Sequence, residues 1–209
     1  MTTMQRDGRK ARGEKRRQEI IEATLRVIER DGVAGVTHRS VAREAGIPTA
    51  SITYHFATLD DLLIATLISC ARDMATEVYW MIDRARSREG LRRSSGSPYS
   101  GPSAADEVSA LLAEALGPRR GRTMAEYELY LLAARRPSLR PAARRWLDVL
   151  TSMVKHDDEV AFRVFLAGID GLLIQGLIDD EPPTAEELRP VVEYLLNPTE
   201  RRRRARQEA

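Results

Sequence analysis

Residue types able to do covalent chemistry or to hold a metal are few in this chain and poorly spaced for either. His38, His55 and His156 stand far apart and Cys70 is alone, so no cluster has metal-ligand spacing. There is no phosphate-cradling Walker loop, dinucleotide glycine fingerprint or nucleophile elbow. An isolated Ser, His or Asp carries no catalytic weight without geometry. The expectation is therefore no catalytic residue, no metal and no cofactor. Hydrogen-bonding chemistry, by contrast, concentrates in one run, THRSVAREAGIPTASITYHF over residues 37–56. Its second half offers Thr49, Ala50, Ser51, Thr53, Tyr54 and His55, small or hydrogen-bonding side chains with neither Glu nor Lys among them. Such a set suits a helix laid into a major groove, where base edges present donors, acceptors and thymine methyl groups.

Those residues need a scaffold, and the flanking spacing supplies one. Ala42, Gly46 and Ile52 follow the helix-turn-helix pattern of a small residue, a glycine four positions on and an apolar residue six beyond that. Ala42 must be small where the second helix crosses, and Gly46 permits the positive φ of the turn. Val41, Ala45, Ile47, Ile52 and Phe56 form the apolar side that closes onto a preceding helix. The same spacing occurs in plain helical corners with a solvated outer face. The unusual outer face and a basic segment ahead of the first helix favour nucleic acid; residues 1–17 carry a net charge of +5.

Periodicity predicts helices throughout. Ile20, Ile21, Thr24, Leu25, Val27 and Ile28 mark one face of an amphipathic helix over 15–31, followed by Gly32 at its C′ position. Thr37 caps a short helix to Ala45, Pro48 and Thr49 open another to Phe56, and Thr58 caps a long one from Asp60 to about Arg86. Residues 87–103, SREGLRRSSGSPYSGPS, read as a mobile loop. Further helices are expected near 104–116, 121–135, 138–155, 157–179 and 184–196, with no strand anywhere. The fold class is all-α with about nine helices, an N-terminal helix-turn-helix domain and a C-terminal helical domain. The expected divisions are a basic flexible arm over 1–14, a helix-turn-helix domain over 15–63, a second domain over 64–198 and an Arg-rich tail over 199–209.

From Arg16 to Leu63 the residues resemble the N-terminal DNA-binding domain of the tetracycline-repressor (TetR) family of bacterial transcription regulators. The resemblance rests on Ile20, Ile21 and Ala23, on Gly32 with Val36 and Thr37, and on Val41-Ala42 with Ala45-Gly46-Ile47. It continues through Ser51-Ile52, the triplet Tyr54-His55-Phe56, and Asp60 with Leu62-Leu63. It implies a phosphate contact at Thr37, a base or phosphate contact at Arg39, base reading by Thr49, Ala50, Ser51 and Thr53, and backbone contacts by Tyr54 and His55. The chain departs from the family pattern at Pro48, commonly Ser, and at Leu59, where a phosphate-contacting Lys is usual.

The remaining two-thirds is expected to bind an effector and to dimerise. Residues 160–178, VAFRVFLAGIDGLLIQGLI, are apolar on nearly every side and need partners all round. With the amphipathic 184–196 they resemble the two helices through which the family forms homodimers, about 157–179 and 184–196. Gly168, Gly171 and Gly176 would permit close approach, and Asp170 and Gln175 read as buried polar groups in need of partners. Trp80, Met81, Met124, Tyr127, Tyr130, Met153 and Asp170 are the candidate effector contacts, although Met and aromatic residues at helical spacing also build plain cores.

Composition sets outer bounds. The chain has 209 residues with a net charge of only +2, and 30 of its 33 cations are Arg, which with abundant Ala suggests a GC-rich bacterial genome. A lone cysteine, an N-terminus without an apolar core and interrupted apolar runs point to a soluble cytoplasmic protein with no membrane partner. The resulting expectation is a homodimeric, non-enzymatic regulator binding a palindromic double-stranded operator, a repressor released by an unknown small-molecule effector. A regulator controlled instead by a protein partner or by abundance is the alternative, and a helical enzyme or scaffold the more distant one.

Overall fold

The computed structural model describes residues 3–95, 102–153 and 159–196. Every regular element among them is helical: α1 (Thr3–Asp31), α2 (His38–Ala45), α3 (Thr49–His55), α4 (Leu59–Ser95), α5 (Ala104–Leu116), α6 (Arg120–Arg135), α7 (Arg140–Met153), α8 (Glu159–Gly176) and α9 (Ala185–Leu196). Short 3₁₀ turns, Val33–Gly35 and Pro137–Leu139, precede α2 and α7. No helix among the described residues is long and apolar enough to cross a membrane.

The chain forms two compact units, Met1–Ala75 with Gly121–Thr151, and Thr76–Arg120 with Ser152–Ala209. In the first, Ile20, Ile21, Val27 and Ile28 of α1 meet Val41 and Ala42 of α2, Ile52 of α3, and Leu62, Leu63 and Leu67 of α4. Ala125, Leu129 and Ala133 of α6 and Ala142 and Ala143 of α7 complete that core. In the second, Leu112 and Leu116 of α5 and Leu188 and Val192 of α9 form a core that Phe165, Ile169 and Leu172 of α8 cover. Cys70 lies buried in α4, and removal from water pushes its thiol up to about 12.

Helix ends follow the expected chemistry. Thr37 caps α2 through a reciprocal box with Ser40, Thr58 and Asp61 do the same for α4, and Ser103 and Asp106 for α5. Gly46 ends α2 in the left-handed conformation at φ 65° and ψ 33°. Gly32 also takes a positive φ, 71°, but with ψ at 171° the chain leaves α1 extended rather than left-handed-helical.

Three expectations require correction. The N-terminal arm, expected to be flexible, is continuous with α1 from Thr3, because Met4 to Lys15 holds good helix formers and no proline. The loop expected over 87–103 is helical as far as Ser95, since Arg88, Glu89, Leu91, Arg92 and Arg93 favour helix and outweigh the single Gly90. Residues 96–101 and the tail from 197 onward lie outside the described residues. Finally, Asp170 and Gln175 are exposed, not buried, because α8 turns Phe162, Phe165, Ile169, Leu172 and Leu173 inward and these two the other way.

Candidate nucleic-acid interface

The first unit holds one helix whose outward face is polar but scarcely charged. Seven residues make α3, and only Ile52 is fully buried, wedged with Phe56 into the core. About two turns cannot fold alone; the helix stands because Ile52 and Phe56 anchor it and Gly46 sets its angle to α2. Pro48 occupies the N-cap with φ −61° and gives no side-chain cap, which leaves the first N–H groups of α3 to other acceptors. Ser51 N–H donates to Pro48 O at 2.9 Å.

Outward from this anchor stand Thr49, Ala50, Thr53 and Tyr54, all exposed, with Ser51 and His55 half-buried. Tyr54 is 85% exposed, unusual for so large a ring, and meets His55 edge-on at 5.1 Å between centroids. Thr53 donates its hydroxyl back to Ala50 O at 3.1 Å, which fixes its rotamer and presents its methyl and lone pairs outward. This is a row of acceptors, donors and methyl groups on one short helix.

The N-terminus of α2 adds a second element. Thr37, itself exposed, accepts the Ser40 N–H at 2.9 Å and so caps the helix. The N–H groups of His38 and Arg39 have no acceptor within the helix, and Arg39 is exposed. An anion there would meet backbone dipoles and one guanidinium. Salt bridges lock α2 to α1: Glu44 receives Arg26 at 2.8 Å and Arg30 at 2.7 Å, and these hold its carboxyl below the usual carboxylate range.

Nonlocal groups fix the rest. Glu128 of α6 accepts the Val33 N–H at 2.7 Å and so pins the turn between α1 and α2. Arg136 and Ser138 both reach Asp60 in the first turn of α4, Arg136 at 3.0 Å. Leu59 packs half-buried against the core, consistent with its being no phosphate ligand. Arg17, part of the basic N-terminal run, lies 4.9 Å over the Phe56 ring and serves the fold. Sequence reasoning missed Glu128 and Asp60 as anchors because both partners are distant in the chain.

The candidate effector contacts fall in both units. Met124, Tyr127 and Tyr130 belong to α6 in the first; Met124 is exposed, while Tyr130 packs on the core and meets Trp146 at 6.3 Å. Trp80, Met81 and Asp170 belong to the second: Met81 packs on its core, whereas Trp80 is 54% exposed and Asp170 lies on the outer side of α8. Met153 is the last residue of α7, and its side chain lies outside the described residues.

Comparisons with known proteins agree with this geometry. Residues 20–66 match the model of bacterial regulatory proteins of the tetR family, and residues 102–198 match that of the tetracyclin repressor-like C-terminal domain. The chain is similar to the HTH-type transcriptional regulator BetI of Paraburkholderia phytofirmans, 42% identical over 59 residues, 28% of this chain and 30% of that protein. It is also similar to the HTH-type transcriptional regulator PksA of Bacillus subtilis, 46% identical over 50 residues, 24% of each chain. These matches thus span less than a third of either curated relative. Solved structures cover far more. A TetR-family member from Streptomyces coelicolor A3 is 38% identical with a TM-score of 0.65 over 86% of this chain and 97% of that one. The multidrug binding protein EbrR complexed with ethidium is 38% identical with a TM-score of 0.64, covering 86% and 98%. With its helix-turn-helix, its all-helical second part and these full-length likenesses, the chain belongs to the TetR family of DNA-binding transcriptional regulators.

Proposed function

We propose that the protein is a homodimeric repressor, not an enzyme, whose two α3 helices read a palindromic operator and which a small-molecule effector releases. The outward face of α3 carries this reading: six small or hydrogen-bonding residues on a turn held by Ile52, with Tyr54 left standing in solvent. Thr49, Ala50, Ser51 and Thr53 read base edges, Tyr54 and His55 hold the backbone, and Arg39 with the α2 N-terminus receives a phosphate. Thr37 acts through the cap that orients those N–H groups. In this proposal residues 15–63 read DNA and 64–198 bind the effector and dimerise.

The outer face of α8 supports the dimer. Val160, Val164, Ala167, Gly171 and Ile174 recur at helical steps along α8, Ile178 follows just past its end, and Val160 and Ile178 are 71% and 80% exposed. On α9, Val191 and Tyr194 are also exposed. A Cβ at Gly168 or Gly176 would meet Leu195 or Leu116 at 2.5 Å, so those glycines serve packing within the chain. Gly171 faces nothing within 4 Å, and a small residue in mid-stripe suits close approach of a second α8. Two reading heads would then sit ~34–36 Å apart, one DNA turn or a multiple of it.

For the effector, likeness to EbrR, solved with ethidium, proflavin and malachite green, favours a planar aromatic cation. Trp80 of the second unit presents an exposed ring on which such a cation stacks. Release is a population shift: the ligand must prefer a conformer that DNA does not.

Fluorescence anisotropy on duplex DNA from immediately upstream of the gene, against a scrambled duplex at equal salt, tests the reading. Two subunits per site and clear preference for the upstream duplex are expected, with ethidium displacing the protein and quenching Trp80. Equal binding to both duplexes would defeat operator reading. Specific binding that no ligand alters would leave a regulator controlled by a partner or by abundance.

A further inference from the structure

The corner between α6 and α7 carries a basic surface that the helix-turn-helix does not account for. Residues 129–147 include Arg135, Arg136, Arg140, Arg144 and Arg145 and not one Asp or Glu, in a chain whose net charge is only +2. Such a concentration in a folded corner costs self-repulsion unless an anion offsets it.

Within the corner the arginines differ in employment. Arg136 is spent on Asp60, at 3.0 Å. Arg140 donates to the Ala133 and Ala134 carbonyls at 3.3 and 3.2 Å and so caps the C-terminus of α6. Arg135, Arg144 and Arg145 are exposed and take part in no ion pair among the described residues. Asp148, one helical turn beyond Arg144, is the nearest acid in sequence and is likewise exposed.

Location gives the surface its meaning. Asp60 lies five residues beyond His55, the last residue of the reading helix, and both Arg136 and Ser138 reach it. The corner is thereby fastened to the chain just after the reading helix, inside the same compact unit. The contact also neutralises a carboxylate that would otherwise repel phosphates near α3.

We propose that the α6–α7 corner is a second DNA-backbone contact, with Arg135 and Arg144 as its phosphate ligands and Arg145 beside them. This rests on the DNA-binding reading above and adds a surface outside the helix-turn-helix. Guanidinium groups suit it, since each can engage a phosphate bidentately without reading sequence.

The test is the salt dependence of affinity for the upstream duplex and for a mixed-sequence duplex. Each lost phosphate contact lowers the slope of log affinity against log salt by about 0.9. The variant Arg135→Gln/Arg144→Gln should lose slope and several-fold affinity on both duplexes alike, with unchanged melting temperature. Arg135→Lys/Arg144→Lys should recover most of the slope. Arg72→Gln/Arg84→Gln, which removes the same charge from α4, should leave the slope as it is. An unchanged slope in the corner variant, or an equal loss in the α4 control, overturns the proposal while the reading helix keeps its role. A wild-type protein that binds no duplex even at low salt overturns both.

Discussion

On α3, neighbouring residues have different tasks because the helix turns them differently. In the proposed reading Ser51 and Thr49 use their hydroxyls to distinguish one base edge from another, so Ser51→Ala should shift the preferred sequence at one position by about 1–3 kcal/mol. Tyr54→Phe, which removes a hydroxyl from an exposed ring, should weaken every duplex to a similar degree. Anisotropy over a panel of single-base operator variants separates the two, and uniform weakening by Ser51→Ala would contradict base reading. Asp60 gives a pH signature. The Ser138 hydroxyl first, and then Arg136, hold its carboxyl below the ordinary carboxylate value. Its folded pKa is thus lower than its unfolded one, about 3.9, so its contribution is present above that pH and is lost as pH falls through the folded value. Urea melts should show Asp60→Asn less stable than wild type near neutrality and converging with it in acid. A gap that does not change with pH would show that the ionised carboxylate is not what matters.

Among the elements, the local ones were legible in the sequence. Caps at Thr37 and Thr58, the left-handed Gly46 and the boundaries of α5 and α9 all follow from residues within one turn of each other. The misses came from two sources. Intrinsic propensity carried α4 past Gly90 to Ser95, where Ser and Arg had suggested a loop. Pairings across the chain, such as Glu128 with the turn at Val33, leave no periodic trace at all. That pairing joins α6 to the entrance of α2. Glu128→Ala should cost about 1–3 kcal/mol and speed amide exchange at Val33, while Glu128→Gln, which keeps an acceptor oxygen, should retain most of the protection. Exchange at Val33 that ignores both changes would refute the anchor.

For the whole molecule, the reading of α8 as apolar all round resolves into two faces. One packs inside its unit, and the other carries the exposed Val160, Val164 and Ile174. Reversing that stripe with Val164→Arg/Ile174→Arg should give a folded monomer in sedimentation, with operator affinity reduced by two to four orders of magnitude through lost bivalency. A dimer that persists would place the interface elsewhere. The helix-turn-helix, with its narrow sequence requirements, was recognisable by motif, whereas effector contacts, drawn from residue types that also build cores, were not. Cys70 adds a practical consequence. A thiol buried in α4 and pushed up to about 12 should ignore maleimide and methanethiosulfonate reagents in the native state. Unaltered protein should therefore behave as a labelling blank. An Ala50→Cys variant would then take a spin label at one position per subunit, and pulsed dipolar spectroscopy could read the spacing of the two reading helices directly, with and without a dye.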